Sequence, residues 1–201
     1  CSVVWEGEVV RLSPIPIRHR KAHRPMSSAL NRRHQLTLFA PEPQRSEIDM
    51  LRRALDPVQA RLISAHVTLC REDEFDAEEV IELLDRAARW TGGPIQLEFG
   101  ESRRFNGHGI LIPCIHGSET FHRLRQWVLR DEHVRVHEPH LTLAHPRNPR
   151  SLGNDEKALS LCPSNFNVSF TTLAAIEQVQ SEQWQVHKLI SLGGKPKDSD
   201  A

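Results

Sequence analysis

Two hexapeptides, Ala65–Cys70 (AHVTLC) and Pro139–Ala144 (PHLTLA), decide how this chain is read. Each carries His-apolar-Thr-Leu, and the two histidines stand 74 positions apart. Polar and apolar residues alternate in both, as in strands half buried in a sheet, where residues i and i+2 share a face. His66 and Thr68 therefore project one way while Val67 and Leu69 enter a core. His140 and Thr142 stand against Leu141 and Leu143 in the same manner. The 12 histidines and 7 threonines of the chain give roughly 0.4 His-x-Thr pairs by chance, so a single pair would mean little. Two of them, each followed by Leu inside a strand-like segment, predict two similar halves that face each other. The competing reading is of two unrelated strands whose histidines are satisfied by their neighbours.

Outward from these strands the pattern stays regular from residue 34. Gln35–Ala40 alternates as a strand and ends at Pro41. Ile48, Leu51 and Leu55 at i, i+3 and i+7 predict a short amphipathic helix that stops near Pro57. Asp76 with Glu79 is a capping signal for a helix whose core stripe is Val80, Leu84 and Ala87, with Ile81 and Ala88 beside it. Gly92-Gly93-Pro94 closes that helix. Two strands, Ile95–Gly100 and Gly109–Ile115, are joined by Glu101–His108, with Asn106-Gly107 as the turn. A third helix carries Phe121, Leu124 and Val128, and a polar loop follows the second hexapeptide. A strand pair near Phe166–Val179 and Trp184–Leu192 closes the series. This order predicts an α+β protein with helices on the outer faces of its sheet structure.

Composition bounds the function. Of 201 residues, 38% are hydrophobic and 26% charged, which is the balance of a globular domain. The 26 basic and 26 acidic residues cancel. The sum hides an asymmetry: residues 1–33 carry net +5 and residues 34–201 net −5. An acidic body argues against holding long nucleic acid by bulk electrostatics. Residues 1–33 read as a disordered basic extension, with an RNA-touching arm as the sharper alternative. Residues 34–192 form the domain and 193–201 a loose polar tail. No apolar run approaches the ~18 residues of a transmembrane helix, and no signal-peptide pattern opens the chain. Cys1, Cys70, Cys114 and Cys162 show no CxxC spacing and read as thiols of a reducing compartment. A cytoplasmic monomer is expected, with no membrane partner.

Two imidazoles and two hydroxyls around one small cavity suit phosphoryl transfer at a phosphodiester. A neutral histidine takes a proton from the attacking water or hydroxyl, and a protonated one donates to the leaving oxygen. Threonine hydroxyls donate to the non-bridging oxygens, where charge gathers in the transition state. On His66-Val67-Thr68-Leu69 and Pro139-His140-Leu141-Thr142-Leu143-Ala144 the chain resembles the two-histidine (2H) phosphoesterase superfamily, particularly its 2'-5' RNA ligase-like branch. LTLFA at 36–40, TLAAIEQV at 172–179 and WQVHKLISL at 184–192 fit the same layout, so the likeness covers about residues 34–192.

The resemblance implies a bilobal α+β fold, a pseudo-twofold pair of antiparallel sheets with outer helices and a central cleft. It implies a phosphodiesterase that needs neither metal nor cofactor and acts on RNA ends or small cyclic nucleotides. Its targets would be 2',3'-cyclic phosphates or 2'-5' linkages, with ligation as the reverse direction. His66 and His140 would be the acid/base pair, and Thr68 and Thr142 the phosphate ligands. Two positions depart from the branch. Arg often follows the second motif, whereas here His145 does, with Arg147 two residues on. The closing hairpin often offers a Tyr; this chain has none, and Trp184 takes a related place. The alternative of another class is a non-catalytic RNA- or nucleotide-binding module on the same fold.

Further candidates lie outside the motifs. Arg103, Arg104 and Phe105 sit on the loop between two strands, where arginine and an aromatic ring can hold a phosphate and stack a base. The plainer reading is a solvated loop. Phe39 reads as core and Arg71 as a surface charge. His133, His137, His140 and His145 straddle a helix end, a loop and a strand, and His140 and His145 oppose each other if the strand continues, so no metal site is expected. No G-x-S-x-G elbow, P-loop or dinucleotide-binding fingerprint is present.

Overall fold

Period-two segments rich in Leu, Ile, Val and Phe supply the strands of two antiparallel sheets, described by a computed structural model for residues 31–193 apart from 106, 107, 147 and 149. The first sheet has the order β2-β1-β8-β9, from β1 (Arg32–Phe39), β2 (His66–Cys70), β8 (Thr172–Val179) and β9 (Gln185–Ser191). The second holds β3 (Ile95–Phe99), β4 (Arg103–Phe105), β5 (His108–His116), β6 (His140–Ala144) and β7 (Phe166–Phe170). One side of β5 is paired by β3 and β4 in succession, and the other side by β6. Among the described residues β2 pairs only with β1 and β6 only with β5. The two His-x-Thr strands are thus an edge of each sheet, and they lie against one another at the centre of the molecule.

Among the described residues the α-helices beside the sheets are α1 (Gln44–Leu55), α2 (Pro57–Leu62), α3 (Val80–Ala88) and α4 (Ser118–Leu129). Helix α1 buries Ile48 and Leu55 as its spacing requires, and α4 buries Phe121, Leu124 and Val128. The core is one cluster that joins Leu36, Leu38, Val67 and Leu69 of the first sheet to Phe99, Ile112, Leu141 and Leu143 of the second. This α+β arrangement of two sheets around a central cleft is the expected fold class.

Several local expectations are corrected. The first strand starts at Arg32, not Gln35, so Arg32 and Arg33 pair with Val179 and Gln178 on β8. Pro57 opens a second helix, because a proline at the first helical position forfeits no intrahelical bond; Asp56 caps it by accepting the Gln59 N–H at 3.3 Å. The α3 stripe of Val80, Leu84 and Ala87 also takes in Leu83, while Ile81 and Ala88, expected beside it, are exposed. Arg103–Phe105 forms a short strand against β5, where a loop is expected. Phe166–Val179 is two strands that break at Thr171 and enter different sheets. The Asn106-Gly107 turn, Arg147, residues 1–30 and residues 194–201 lie outside the described residues.

Candidate active site

The alternation in β2 and β6 does what period two dictates. Val67, Leu69, Leu141 and Leu143 are fully buried, while His66, Thr68, His140 and Thr142 sit half-buried on the opposite face. All four polar residues border one cavity of about 550 Å³ between the sheets.

Both imidazoles are fixed in the same way. His66 Nδ1 lies 2.7 Å from the Ser64 carbonyl oxygen, and His140 Nδ1 lies 2.9 Å from that of Glu138. A carbonyl only accepts, so each Nδ1 carries the hydrogen and Nε2 is left as the nitrogen that exchanges a proton. The Phe39 and His66 rings meet edge to face with centroids 6.3 Å apart, and Phe39 is half-buried rather than part of the sealed core. Burial, followed by the positive charge of Arg52, lowers the His66 pKa from 6.5 to about 4, against the opposing bond to Ser64. His66 is therefore neutral at physiological pH.

Two carbonyls of β2 are held by side chains. His137 Nε2 donates to the Thr68 carbonyl at 3.3 Å. The fully buried Arg125 donates to the Leu69 and Arg135 carbonyls and forms an ion pair with Glu74 at 2.6 Å. Burial and then Arg125 lower the His137 pKa to about 4. On the α1 side, Asp49 Oδ1 accepts the Ala65 N–H at 2.7 Å and Arg52 Nη1 at 2.8 Å, and Arg52 Nη1 also reaches the Ile63 carbonyl at 2.6 Å. Asp56, with no exposed surface, accepts from the His145 N–H at 3.0 Å and from Asn148 Nδ2 at 2.7 Å. It ties the segment after β6 to the start of α2.

The secondary candidates divide. Phe105, His145 and Trp184 border the cavity. Strand β6 ends at Ala144, so the opposite-face argument does not reach His145, which shares the cavity with His140. Trp184 donates its backbone N–H to the Leu62 carbonyl at 2.9 Å, and its ring carries the Arg33 guanidinium at 5.3 Å. Arg103 is not brought in: it pairs with Glu138 and is absent from the cavity wall. Arg104 likewise donates to the Gly153 carbonyl at 2.7 Å. Arg71 pairs with Asp73 yet borders the cavity. Sequence spacing missed Arg52, Asp49, Asp56 and Arg125, because charged residues at buried positions are justified only by tertiary partners. His137 was visible only as one member of a histidine cluster, and among the described residues no three metal-capable side chains converge.

The family model of the 2'-5' RNA ligase superfamily matches residues 40–182, well over half of the chain. The chain belongs to this superfamily, the 2H phosphoesterases. Solved structures share its fold. Escherichia coli LigT complexed with NADP+ is 17% identical with a TM-score of 0.58, over 81% of this chain and 99% of that one. TT0787 of Thermus thermophilus is 18% identical with a TM-score of 0.53, over 81% and 99%. A protein described as a phosphoesterase is 15% identical with a TM-score of 0.57, over 82% and 100%. No curated protein matches the chain. Among the described residues of this 2H phosphoesterase superfamily member, no helix is long and apolar enough to cross a membrane.

Proposed function

We propose that this protein is a metal-independent RNA-end phosphodiesterase that opens 2',3'-cyclic phosphates and acts on 2'-5' linkages. The observation that carries the reading is the matched pair of imidazoles, each with Nδ1 bound to the carbonyl two residues before it, across one cavity with Thr68 and Thr142. In hydrolysis, neutral His66 takes the proton of the attacking water at Nε2. Protonated His140 gives its Nε2 proton to the leaving ribose oxygen as the P–O bond breaks. Thr68 and Thr142 donate hydrogen bonds to the non-bridging oxygens, whose charge grows in the transition state. With an RNA 5'-hydroxyl in place of water, His66 takes that hydroxyl's proton, His140 protonates the departing 3' oxygen and a 2'-5' bond forms; in the back reaction, which cleaves that bond to the cyclic phosphate, the roles exchange. Phe105 and Trp184, both bordering the cavity, offer rings on which bases can stack.

LigT has been solved with phosphate, 3'-AMP, ATP and NADP+, which supports nucleotide ligands for a cleft of this fold. Free thiols at Cys70, Cys114 and Cys162 fit the cytoplasm, where we take the protein to act as a monomer. The test is to incubate the protein, with EDTA present, with cyclic mononucleotides, oligonucleotides ending in a 2',3'-cyclic phosphate, and 2'-5' oligomers. Turnover is expected, with a loss of about 10²–10⁴-fold in His66→Ala and in His140→Ala. Tight product binding without turnover would instead mark a non-catalytic binding module.

A further inference from the structure

Arg52 is a charged residue in an unusual position. It lies on the apolar side of α1, only 4% exposed, and still borders the cavity beside His66. Among the described residues its hydrogen bonds all leave from Nη1, to Asp49 and to the Ile63 carbonyl. The Nε and Nη2 groups bond to no described residue, and neither belongs to the polar atoms that are sealed from solvent without a partner. Both therefore reach solvent, and the open space that Arg52 borders is this cavity. Asp49, the counter-charge, is occupied by Arg52 Nη1 and by the Ala65 N–H. A guanidinium withdrawn from bulk water with a donor edge unfilled is costly unless an anion takes that edge.

We propose that Arg52 is a third phosphate ligand of this cleft, its Nε/Nη2 edge receiving two non-bridging oxygens of the phosphate that Thr68 and Thr142 also bind. The geometry has two parts. One nitrogen is locked by Asp49 and Ile63, so the planar fork is held in place before the ligand arrives. The other edge matches the spacing of two oxygens on one phosphorus, a fit that a point charge does not reproduce. The class of ligand is a phosphate with at least two free oxygens, which both a phosphodiester substrate and a phosphomonoester product supply. The same Asp49–Arg52 pair braces residues 63–65, the turn whose Ser64 carbonyl orients His66. Arg52 therefore couples phosphate binding to the imidazole. The identity of the ligand rests on the phosphodiesterase reading; the anion site itself does not.

The test titrates inorganic phosphate into the whole protein by calorimetry, for the wild type, Arg52→Gln and Arg52→Lys, with kcat/KM on a 2',3'-cyclic nucleotide measured beside it. Arg52→Gln is expected to weaken phosphate binding by about 10–100-fold, the scale of a lost charge-assisted bond. It should lower kcat/KM by about 10²–10³-fold, as for other donors to a developing oxyanion. Arg52→Lys should fall between, since charge without the fork restores part of the effect. A further readout separates ligand from brace. The groups that act on His66 are Arg52, His140, His145 and the Ser64 carbonyl, so removing the Arg52 cation should move the acid limb of the rate profile to higher pH. Thermal unfolding controls for folding, and Asp49→Asn with Arg52→Gln carries the test if the single variant is unfolded. Phosphate affinity in folded Arg52→Gln within twofold of wild type would overturn the proposal. Arg52-dependent phosphate binding without any phosphodiester turnover would keep the anion site and overturn the enzyme reading; turnover by a wild type that binds no phosphate would keep the enzyme reading and overturn the anion site.

Discussion

His66 and His140 owe their tautomers to a backbone carbonyl two residues upstream, at 2.7 and 2.9 Å, where many catalytic histidines use a carboxylate. A carbonyl orients the ring without the stabilisation of the imidazolium that a carboxylate would give, so each ring remains free to serve as base or acid. This suits a reaction that runs in both directions. The hydroxyls of Thr68 and Thr142 have a different task. Thr68→Val and Thr142→Val keep the branched shape of the strand residue while removing the donor. Each should lower kcat/KM by about 10²-fold, mainly through kcat, because the hydrogen bond strengthens as charge gathers on phosphate. Steady-state kinetics on a cyclic nucleotide checks this, and rates within twofold of wild type in both variants would remove the threonines from the site. These four residues were legible in the sequence, since strict period two puts His and Thr opposite Val and Leu whatever the rest of the chain does.

At the scale of the element, the two motif strands are sheet edges, with backbone groups that need partners. Thr68 and Leu69 find theirs in His137 and Arg125, both from the α4–β6 part of the chain. Arg125 is the largest side chain of the fully buried interior and holds Glu74 as well. Replacing it with methionine would leave the Glu74 carboxylate without its buried partner, at a cost of about 3–5 kcal/mol. Urea unfolding of Arg125→Met measures this, and a change below about 1 kcal/mol would mean that the pair does not secure β2. None of this was visible beforehand, because the i, i+3, i+7 pattern of α4 marks apolar positions and passes over an arginine between them. The split at Thr171 was hidden for a related reason. Phe170, Thr171 and Thr172 all favour strand and none breaks it, so only the competition between two sheets ends β7 and begins β8.

For the molecule as a whole, the two sheets set two nearly identical motifs against each other, and the internal echo between them announced this. What the echo could not announce is how unequal the two halves are. His66 has Arg52 near it and a pKa lowered to about 4, whereas the second motif has Glu138 as the source of its carbonyl and His145 beyond its end. Tertiary burial makes that difference, and a charge count cannot show it. The zero net charge of the chain is likewise a sum of unlike parts, and the cavity that His66 and His140 border is also lined by Arg33, Arg52 and Arg71 with Glu72. In the proposed reaction neutral His66 takes a proton while His140 gives one. The pH dependence of kcat/KM for a 2',3'-cyclic nucleotide, in wild type, His66→Ala and His140→Ala, tests it most directly. A base must be unprotonated to act, so the rate should fall as pH drops through about 4, the value to which burial and Arg52 lower His66. The acid limb is expected in the wild type and absent from the residual activity of His66→Ala, and His140→Ala is expected to lose about 10²–10⁴-fold in rate; a His66→Ala profile that keeps the limb, or an undiminished rate in His140→Ala, would rule out these roles.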